Sequence, residues 1–567
     1  MSNKNENKNM VIAMVLFIAI MFIYNHFSEK QAPKPEQTET SQPESNQEDS
    51  SKTSDSSDEK SEKTTAAESM AKKSRISAEN SKAMVSIDLD GGVIDSIVLK
   101  NFKETVAKDS ENVHLLAPKG TDSEYYYGIY YNDKTHDEKL DAQTVWTSEP
   151  SETTKQSVVL KTRTSKGLVI ERTITLDDSY MINVKDRLIN VSDSDIKISK
   201  VAELVRANPK HNNYAVVHEG LIGSFEGKVE EIKYAKASEK TVLNKCSWFG
   251  YTDIYWLCSL INKDKNSVAS YSKTGEDSYK CSVSSKSDIK IAPDSAVELN
   301  YAVFAGPKDL KLLKEYSQSL DIEKFDMAID FGWFFMITKP LLALLNLMAG
   351  WFNNMGIVIL ALTLLFKVAT YPLTKKSFKS AAKMRAIQPK VTSLQKMYAH
   401  DKMRLNQELM ALYKKEQVSP MSGCLPMILQ APIFFCLYKV FFISTQMRHA
   451  PLFGWINDLS APDPLYIANL FGAIDWTPPS FLQIGIWPLI MGGTMFLQQK
   501  LSTAKNESVE KTKEAKMQEN MMLIMPIMFT YICASFPVGV VVYWTVSNIF
   551  SIIQQYYANT HTRKRKK

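Results

Sequence analysis

The sequence predicts an α+β membrane protein in which a polytopic bundle of six transmembrane helices is joined to a large antiparallel β-sandwich. Three observations predict this fold class. Long apolar runs lie near the N-terminus and after residue 330. The polar region between them places apolar side chains at every second position, which is typical of strands with one buried face. Basic residues concentrate between particular apolar runs, as they do in the cytoplasmic loops of membrane proteins.

The overall composition sets broad limits. The chain has 567 residues, 44% hydrophobic content and a net charge of +6, which is too mild to indicate a DNA partner. Its six cysteines show no CxxC or Cys/His spacing, so we expect buried apolar thiols and no metal site. Whether Cys246, Cys258 and Cys281 include a disulfide stays open.

The first apolar run covers residues 10–24 and follows Lys4 and Lys8. No small-residue cleavage site comes after it, so residues 1–27 are predicted to form an uncleaved signal-anchor helix with a cytoplasmic N-terminus. A cleaved signal peptide is the alternative. Residues 28–75 are rich in Ser, Glu, Lys and Pro, and they are expected to form a disordered linker.

Residues 76–325 are predicted to form the sandwich. Apolar residues alternate over 85–89, a turn follows at Asp90-Gly91-Gly92, and the pattern resumes over 93–99. Similar stretches recur as far as residue 304, and residues 308–319 are expected to form a closing helix.

The membrane core is assigned to residues 351–557. Its predicted spans are 355–372, 421–443, 484–498 and 521–554, the last divided into two helices at Phe536-Pro-Val-Gly539. Together with the signal-anchor helix, these spans make six predicted transmembrane helices. Residues 326–350 are apolar but contain Lys339-Pro340, and the charge bias requires that they do not cross. They are therefore expected to form an interfacial amphipathic helix held by Trp333.

Charge bias sets the expected orientation. Residues 375–418 carry eleven basic and three acidic residues, which predicts a cytoplasmic location, and the basic tail at 558–567 is expected on the same side. Apolar residues at helical spacing after a candidate N-cap, Asp401, predict a helical hairpin over 375–418 that is interrupted near Pro389. The alternative is a solvated loop, which would explain the charge without the amphipathic pattern.

Lys367 is an unexpected charge inside the first of these spans. A central ammonium costs roughly 2.5–3.5 kcal/mol, and the span ends roughly 12 Å away, beyond the reach of a lysine. None of the four later apolar runs contains Asp or Glu. We therefore expect a hydrated cavity that Thr363, Gln430 and Asn548 could share. The alternative is a lysine bonded to backbone carbonyls, whereas Lys439 lies near the end of its span and is expected to snorkel.

Several motifs occur in order along the membrane core. They are YPLTK at 371–375, KMR at 383–385, QPK at 388–390, SGCLP at 422–426, QAPIF at 430–434, WINDLS at 455–460, VSN at 546–548 and IIQQ at 552–555. Together they resemble the YidC family of bacterial membrane protein insertases. The resemblance runs from about residue 331 to 555, and a weaker one covers ITLDDSY at 174–180 in the sandwich.

The resemblance implies an insertase and chaperone for integral inner-membrane proteins, acting alone or with the Sec translocon. It implies a multi-pass inner-membrane location, cytoplasmic termini and a sugar-mutarotase-like periplasmic domain. It also implies a hydrophilic groove, where Lys367 takes a position usually held by Arg. The substrate-binding residues implied by the resemblance or expected to line the cavity are Lys367, Thr363, Gln430, Phe434, Tyr543, Trp544 and Asn548.

The expected partners are nascent membrane proteins, membrane lipids and, through the basic hairpin and tail, the ribosome. The sequence has no nucleotide-binding motif, and we expect neither a cofactor nor enzymatic activity. His218-Glu219 is interpreted as a surface pair. Two alternatives stay open at this stage, namely a small-solute membrane transporter and a membrane-anchored carbohydrate-binding envelope protein.

Overall fold

The computed structural model describes residues 74–149, 151–210, 217–237, 241–352, 354–418, 425–502 and 524–564. The predicted anchor at 1–27 and nearly all of the predicted linker at 28–75 lie outside these ranges. Within them, strands occupy residues 75–307 and helices dominate from residue 310 onward.

The first sheet contains eleven strands of the described chain. Eight are in the order β1-β2-β3-β5-β11-β18-β17-β14, while β4, β6 and β19 pair at its side. Its strands are β1 Arg75–Glu79, β2 Ala83–Asp88, β3 Val93–Lys103, β4 Asn112–His114, β5 Tyr125–Asp133, β6 Glu138–Leu140, β11 Ile196–Ala207, β14 Thr241–Leu243, β17 Ser267–Lys273, β18 Ser278–Ser285 and β19 Ile289–Ile291.

The second sheet contains the other nine strands of the described residues, in the order β13-β12-β15-β16-β20-β10-β9-β8-β7. They are β7 Thr147–Ser148, β8 Ser157–Arg163, β9 Leu168–Leu176, β10 Met181–Asn190, β12 Gly220–Phe225, β13 Lys228–Ile232, β15 Cys246–Thr252, β16 Trp256–Ile261 and β20 Ala296–Pro307. Neighbouring strands pair antiparallel, which confirms the predicted antiparallel sandwich.

Alternation in the sequence produces the two faces of these sheets. Along β9 every second side chain is buried, from Leu168 to Leu176, and the residues between are half-buried. The turn between β2 and β3 depends on glycine. Gly91 and Gly92 both have positive φ, and a Cβ on Gly92 would lie 2.8 Å from the Trp146 indole nitrogen.

A buried ion pair within the second sheet is hydrogen-bonded to the first sheet. Arg172 on β9 is 1% exposed and donates to Asp186 on β10 at 2.8 Å. Its guanidinium also donates to the carbonyl oxygens of Gly92 and Ile129, beside and within the first sheet, at 3.1 and 3.0 Å. The Tyr131 hydroxyl donates to Asp186 at 2.6 Å. Because each charge has several partners, the pair can stay charged without water.

The helices of the described chain follow the sandwich. They are α1 Leu310–Ser319, α2 Phe335–Ala349, α3 Met355–Met397, α4 Lys402–Lys415, α5 Leu425–Ile443, α6 Ile486–Ser502, α7 Ile524–Cys533 and α8 Val538–Lys564. Asp401 accepts a hydrogen bond from the Arg404 backbone, which confirms it as the N-cap of α4. The gap between α7 and α8 confirms the predicted break near Pro537.

The predicted interruption near Pro389 is wrong, because α3 is continuous through both Pro372 and Pro389. A proline removes one backbone hydrogen bond, but tertiary packing stabilises the helix on either side. Ile387 and Val391 on α3 are buried against Val418, just beyond α4.

Among the described residues, two helical segments are long and apolar enough to cross a membrane, 355–384 and 538–557. Three shorter apolar helices cover 335–349, 432–443 and 524–533. The structure therefore does not confirm six transmembrane helices, and that number remains a prediction.

Five of the six cysteines fall in the described chain, and all five are buried, as expected. All five are free, which answers the open question of a disulfide among Cys246, Cys258 and Cys281. They are Cys246, Cys258, Cys281, Cys436 and Cys533. Burial raises the pKa of the Cys258 and Cys281 thiols to about 12, so both are protonated and unreactive at neutral pH.

Candidate functional site

Lys367 lies on α3 where that helix packs against α8. Its ammonium donates to the Ser551 hydroxyl on α8 at 2.8 Å, and Ser551 in turn donates to the Ser547 carbonyl at 2.9 Å. Within the ranges that the structure describes, Lys367 takes part in no ion pair. The ammonium therefore has a hydroxyl partner and, among the described residues, no counterion.

Thr363 lies one turn before Lys367 on α3 and is fully buried. Its hydroxyl donates to the Ile359 carbonyl of the same helix at 2.7 Å. This bond satisfies the hydroxyl locally, so Thr363 is a paired polar group inside the helix bundle, one turn before Lys367.

Gln430 and Tyr543 join α5 to α8. The Gln430 amide donates to the Tyr543 hydroxyl at 2.8 Å, and Tyr543 is only 2% exposed. A buried hydrogen bond of this kind fixes the two helices relative to each other. It gives Tyr543 a structural role beside any role in binding.

Phe434 and Trp544 belong to an aromatic cluster, defined here as Phe434, Tyr438, Phe529, Phe536 and Trp544. The Phe434 and Trp544 ring centroids are 4.6 Å apart, and Trp544 lies 5.4 Å from Phe529. Tyr438 extends the cluster, 4.9 Å from Phe536. The cluster forms an apolar strip shared by α5, α7 and α8.

Asn548 lies on α8 and donates to the Thr494 hydroxyl on α6 at 3.2 Å. The hydrogen-bond partner is therefore a different residue for each of Lys367, Gln430 and Asn548. The expected polar cluster around Lys367 is replaced by separate hydrogen bonds that tie α8 to α3, α5 and α6.

The sequence interpretation missed Ser551 and three members of the aromatic cluster, Tyr438, Phe529 and Phe536. Ser551 stands four residues after Ser547, and this spacing of small polar residues in an apolar helix was the available signal. Tyr438 follows Phe434 by four residues, which places both on one helix face.

Lys439 behaves differently from Lys367. Its ammonium lies 2.6 Å from the Asp330 carboxylate, so it is ion-paired and the snorkelling explanation is incomplete. Asp330 also accepts from the His218 backbone at 2.9 Å. Burial alone would raise the pKa of Asp330, but the charge and hydrogen bond of Lys439 outweigh it and hold that pKa below its ordinary value. Residues Asp330, Lys439 and His218 are called the junction below.

His218 is buried, so the interpretation of His218-Glu219 as a surface pair is wrong for the histidine. The His218 ring bonds the Leu221 carbonyl at 2.9 Å, and burial lowers its pKa, so the neutral form is favoured. Through these contacts His218 helps to hold the backbone that bonds Asp330 at the junction.

The hairpin, residues 375–418, has one packed face and one open face. Ile387, Val391 and Val418 are buried inside it, and Lys390 pairs with Glu416 at 2.7 Å. Three methionines point to the surface and are 67–76% exposed, namely Met397, Met403 and Met410. Flexible, exposed methionines are typical of surfaces that bind varied apolar partners.

Comparisons with known proteins match nearly the whole chain. Residues 75–344 match the family model described as YidC periplasmic domain, and residues 347–566 match the one described as 60Kd inner membrane protein. Membrane protein insertase YidC of Rickettsia prowazekii is 37% identical over 98% of this chain and 99% of its own length.

Solved structures give a weaker likeness. A crystal structure of an active YidC insertase with its first transmembrane domain resolved is 15% identical, with a TM-score of 0.36 over 85% of this chain and 92% of its own. A galactose mutarotase-like protein from Lactobacillus casei is 10% identical, with a TM-score of 0.30 over 41% of this chain and all of its own.

The full-length relatives, together with the two matched families, define a membrane protein insertase. The chain belongs to the YidC family. The predicted insertase function is thereby confirmed, and the transporter and carbohydrate-binding alternatives are set aside.

Proposed function

We propose that Lys367 provides the positive charge that recruits acidic flanks of client proteins into a hydrophilic groove between α3, α5 and α8. The observation that carries this proposal is the contrast between two lysines. Lys439 is neutralised by Asp330 at 2.6 Å, whereas Lys367 is held by the Ser551 hydroxyl at 2.8 Å. A retained charge in a membrane helix is costly, and a function for it explains why it is kept.

In this proposal some groove residues provide polar groups and others provide apolar surface. Lys367 and Gln430 are partly exposed and offer a polar route, while the buried Thr363 and Asn548 hold the helices in place. The aromatic cluster offers an apolar strip along which a client segment leaves toward lipid. Partitioning of the segment drives insertion, at about 0.8 kcal/mol per buried CH₂. No catalytic chemistry or cofactor is required.

Six transmembrane helices in the bacterial inner membrane, with cytoplasmic termini and a periplasmic sandwich, form part of the proposal. Support comes from Arg448, just after α5. It lies 5.4 Å from the Trp256 ring and donates to the Glu104 carbonyl at 3.0 Å. Both partners belong to the sandwich or its loops, so the α5–α6 connection is on the sandwich side.

The hairpin is proposed to receive clients on the other side. Its methionines Met397, Met403 and Met410 suit apolar segments, and its basic side chains suit ribosomal RNA. Cooperation with the Sec translocon is proposed for clients with large translocated domains, which exceed what a groove of three helices can shelter.

The test uses insertion assays with Lys367→Arg, Lys367→Met and Lys367→Glu, and a client whose acidic flank is neutralised one residue at a time. Two charges 4 Å apart interact by about 1 kcal/mol in water and about 4 kcal/mol at an effective dielectric of 20. We expect the Lys367→Arg variant to retain insertion. Lys367→Met should slow insertion of the acidic client by roughly tenfold to a thousandfold and leave insertion of the neutral client unchanged. Lys367→Glu should block insertion of the acidic client.

Equal loss for acidic and neutral clients would contradict charge recruitment and leave Lys367 as a folding element. Ser551→Ala is the matched control, because it removes the hydroxyl partner and keeps the charge. It should leave the difference between acidic and neutral clients intact.

A further inference from the structure

The connection between α5 and α6 has an exposed apolar surface. Residues 464–485, called the sandwich-side loop, contain a single charged residue, Asp475. Seven of its large apolar side chains are 38–59% exposed, namely Ile467, Leu470, Phe471, Ile474, Trp476, Phe481 and Leu482. A loop in water rarely gathers so many large apolar groups on one short segment.

The loop is closed and held at its base. Asp463 is 1% exposed and accepts from the Trp455 indole at 3.0 Å and from the backbone of Trp487 at 2.7 Å. Tyr466 and Gly485 form an isolated β-bridge across the base. The exposed side chains therefore belong to a loop whose base is held in place by hydrogen bonds at the start of α6.

The backbone of the loop is bonded internally. The Phe471 amide donates to the Tyr466 carbonyl at 2.8 Å, and the Ile474 amide donates to the Asn469 carbonyl at 3.1 Å. The Ile467 amide donates to the Ile484 carbonyl at 3.1 Å. Backbone groups that bond within the protein lose little on leaving water, which is the condition for entering lipid.

The tip of the loop has an unfavourable conformation for its residues. Leu470 and Phe471 have φ of 50° and 59°, in the left-handed region that bulky side chains avoid. Despite this strain both side chains remain exposed. Strained backbone of this kind persists where it presents side chains for a function.

We propose that the sandwich-side loop inserts into the lipid leaflet that faces the sandwich. Lipid is the occupant indicated, because the loop continues directly into the apolar helix α6 at Ile486 and carries almost no charge. The contacts of Arg448 place this connection on the sandwich side. Trp476 suits the boundary between headgroups and acyl chains. This inference is independent of Lys367 and of the groove.

The test places a fluorescent NBD label on Phe471→Cys in the full-length protein, reconstituted into phosphatidylcholine–phosphatidylglycerol vesicles with brominated acyl chains. Val242→Cys is the matched control, because Val242 is 55% exposed on the sandwich. The wild-type chain, treated identically, gives the background, since its described cysteines are buried. We expect bromine to reduce emission at position 471 by roughly twofold or more and to leave position 242 unchanged.

Unquenched, water-like emission at position 471 would overturn the proposal, because the loop would then be in solvent. Blue-shifted emission without quenching would also overturn it, since a protein surface, such as a second copy of the chain, would be the occupant. Quenching at position 471 that disappears when the same protein is moved into detergent without bromine supports insertion into lipid.

Discussion

The junction predicts a large and specific loss of stability when one charge is removed. In Asp330→Asn, the Lys439 ammonium would stay in α5 without its counterion, and both side chains are only 10–12% exposed in the native pair. Removing one partner of a buried ion pair typically costs about 3–5 kcal/mol. Asparagine can still accept one hydrogen bond from His218, so we expect about 3 kcal/mol, or roughly a hundredfold in the unfolding constant.

The assay uses the chain's own thiols. Cys436 on α5 is 1% exposed and lies three residues before Lys439. In a chain whose other cysteines are replaced by alanine, a thiol-reactive dye on heating therefore reports when α5 loosens. Asp330→Asn should lower the midpoint of this exposure. The double variant Asp330→Asn/Lys439→Met should recover most of the loss, because an apolar pair of similar size is often neutral or stabilising.

An unchanged midpoint in Asp330→Asn would refute this reasoning, and so would a double variant as unstable as the single one. The pH dependence gives a further check. Because the folded pKa of Asp330 is below its ordinary value, the stabilisation is present at neutral pH and is lost only as pH falls below about 4. A loss between pH 6 and 8 would point to another group.

Three other predictions follow from the fold and the hairpin. Photo-crosslinkers at Met403 should capture clients before crosslinkers at Phe434 do, while Gln407, an exposed polar residue on the same helix, should capture fewer; the reverse order would remove the hairpin from the entry route. Cysteine labelling of intact cells should modify position 242 on the sandwich and spare position 383; ready labelling at 383 from outside would overturn the proposed orientation. Deleting much of 80–300 while keeping the segment from Asp330 onward should leave client insertion largely intact; its complete loss in a well-folded deletion would show that the sandwich takes part.

Local patterns in the sequence account for the parts of the fold that were predicted correctly. Alternation along β9 and the turn at Gly91 and Gly92 depend on neighbouring residues, so the sandwich could be predicted. The same holds for the break before Val538. Continuity of α3 through Pro389 could not be predicted, because it depends on packing against Val418.

The partners of the two membrane lysines show the limit of such reasoning most clearly. Asp330 lies 109 residues before Lys439, and Ser551 lies 184 residues after Lys367. The sequence identified both lysines as unusual, since a charge in an apolar run is a local feature. Their different fates depend on which distant residue the fold brings to each, and no local spacing carries that information.

The unbroken course of α3 has a mechanical consequence. At 1.5 Å per residue its 43 residues form a rod about 65 Å long, roughly twice the thickness of the hydrocarbon layer. Lys367 and the hairpin end at Met397 are therefore parts of one lever. If the rod pivots at its capped start, Asn354, a displacement of Met397 is about 3.3 times that of Lys367. A ribosome or client that displaces the far end by several ångströms would thus shift the charge by an ångström or two, enough to make or break its bond to Ser551.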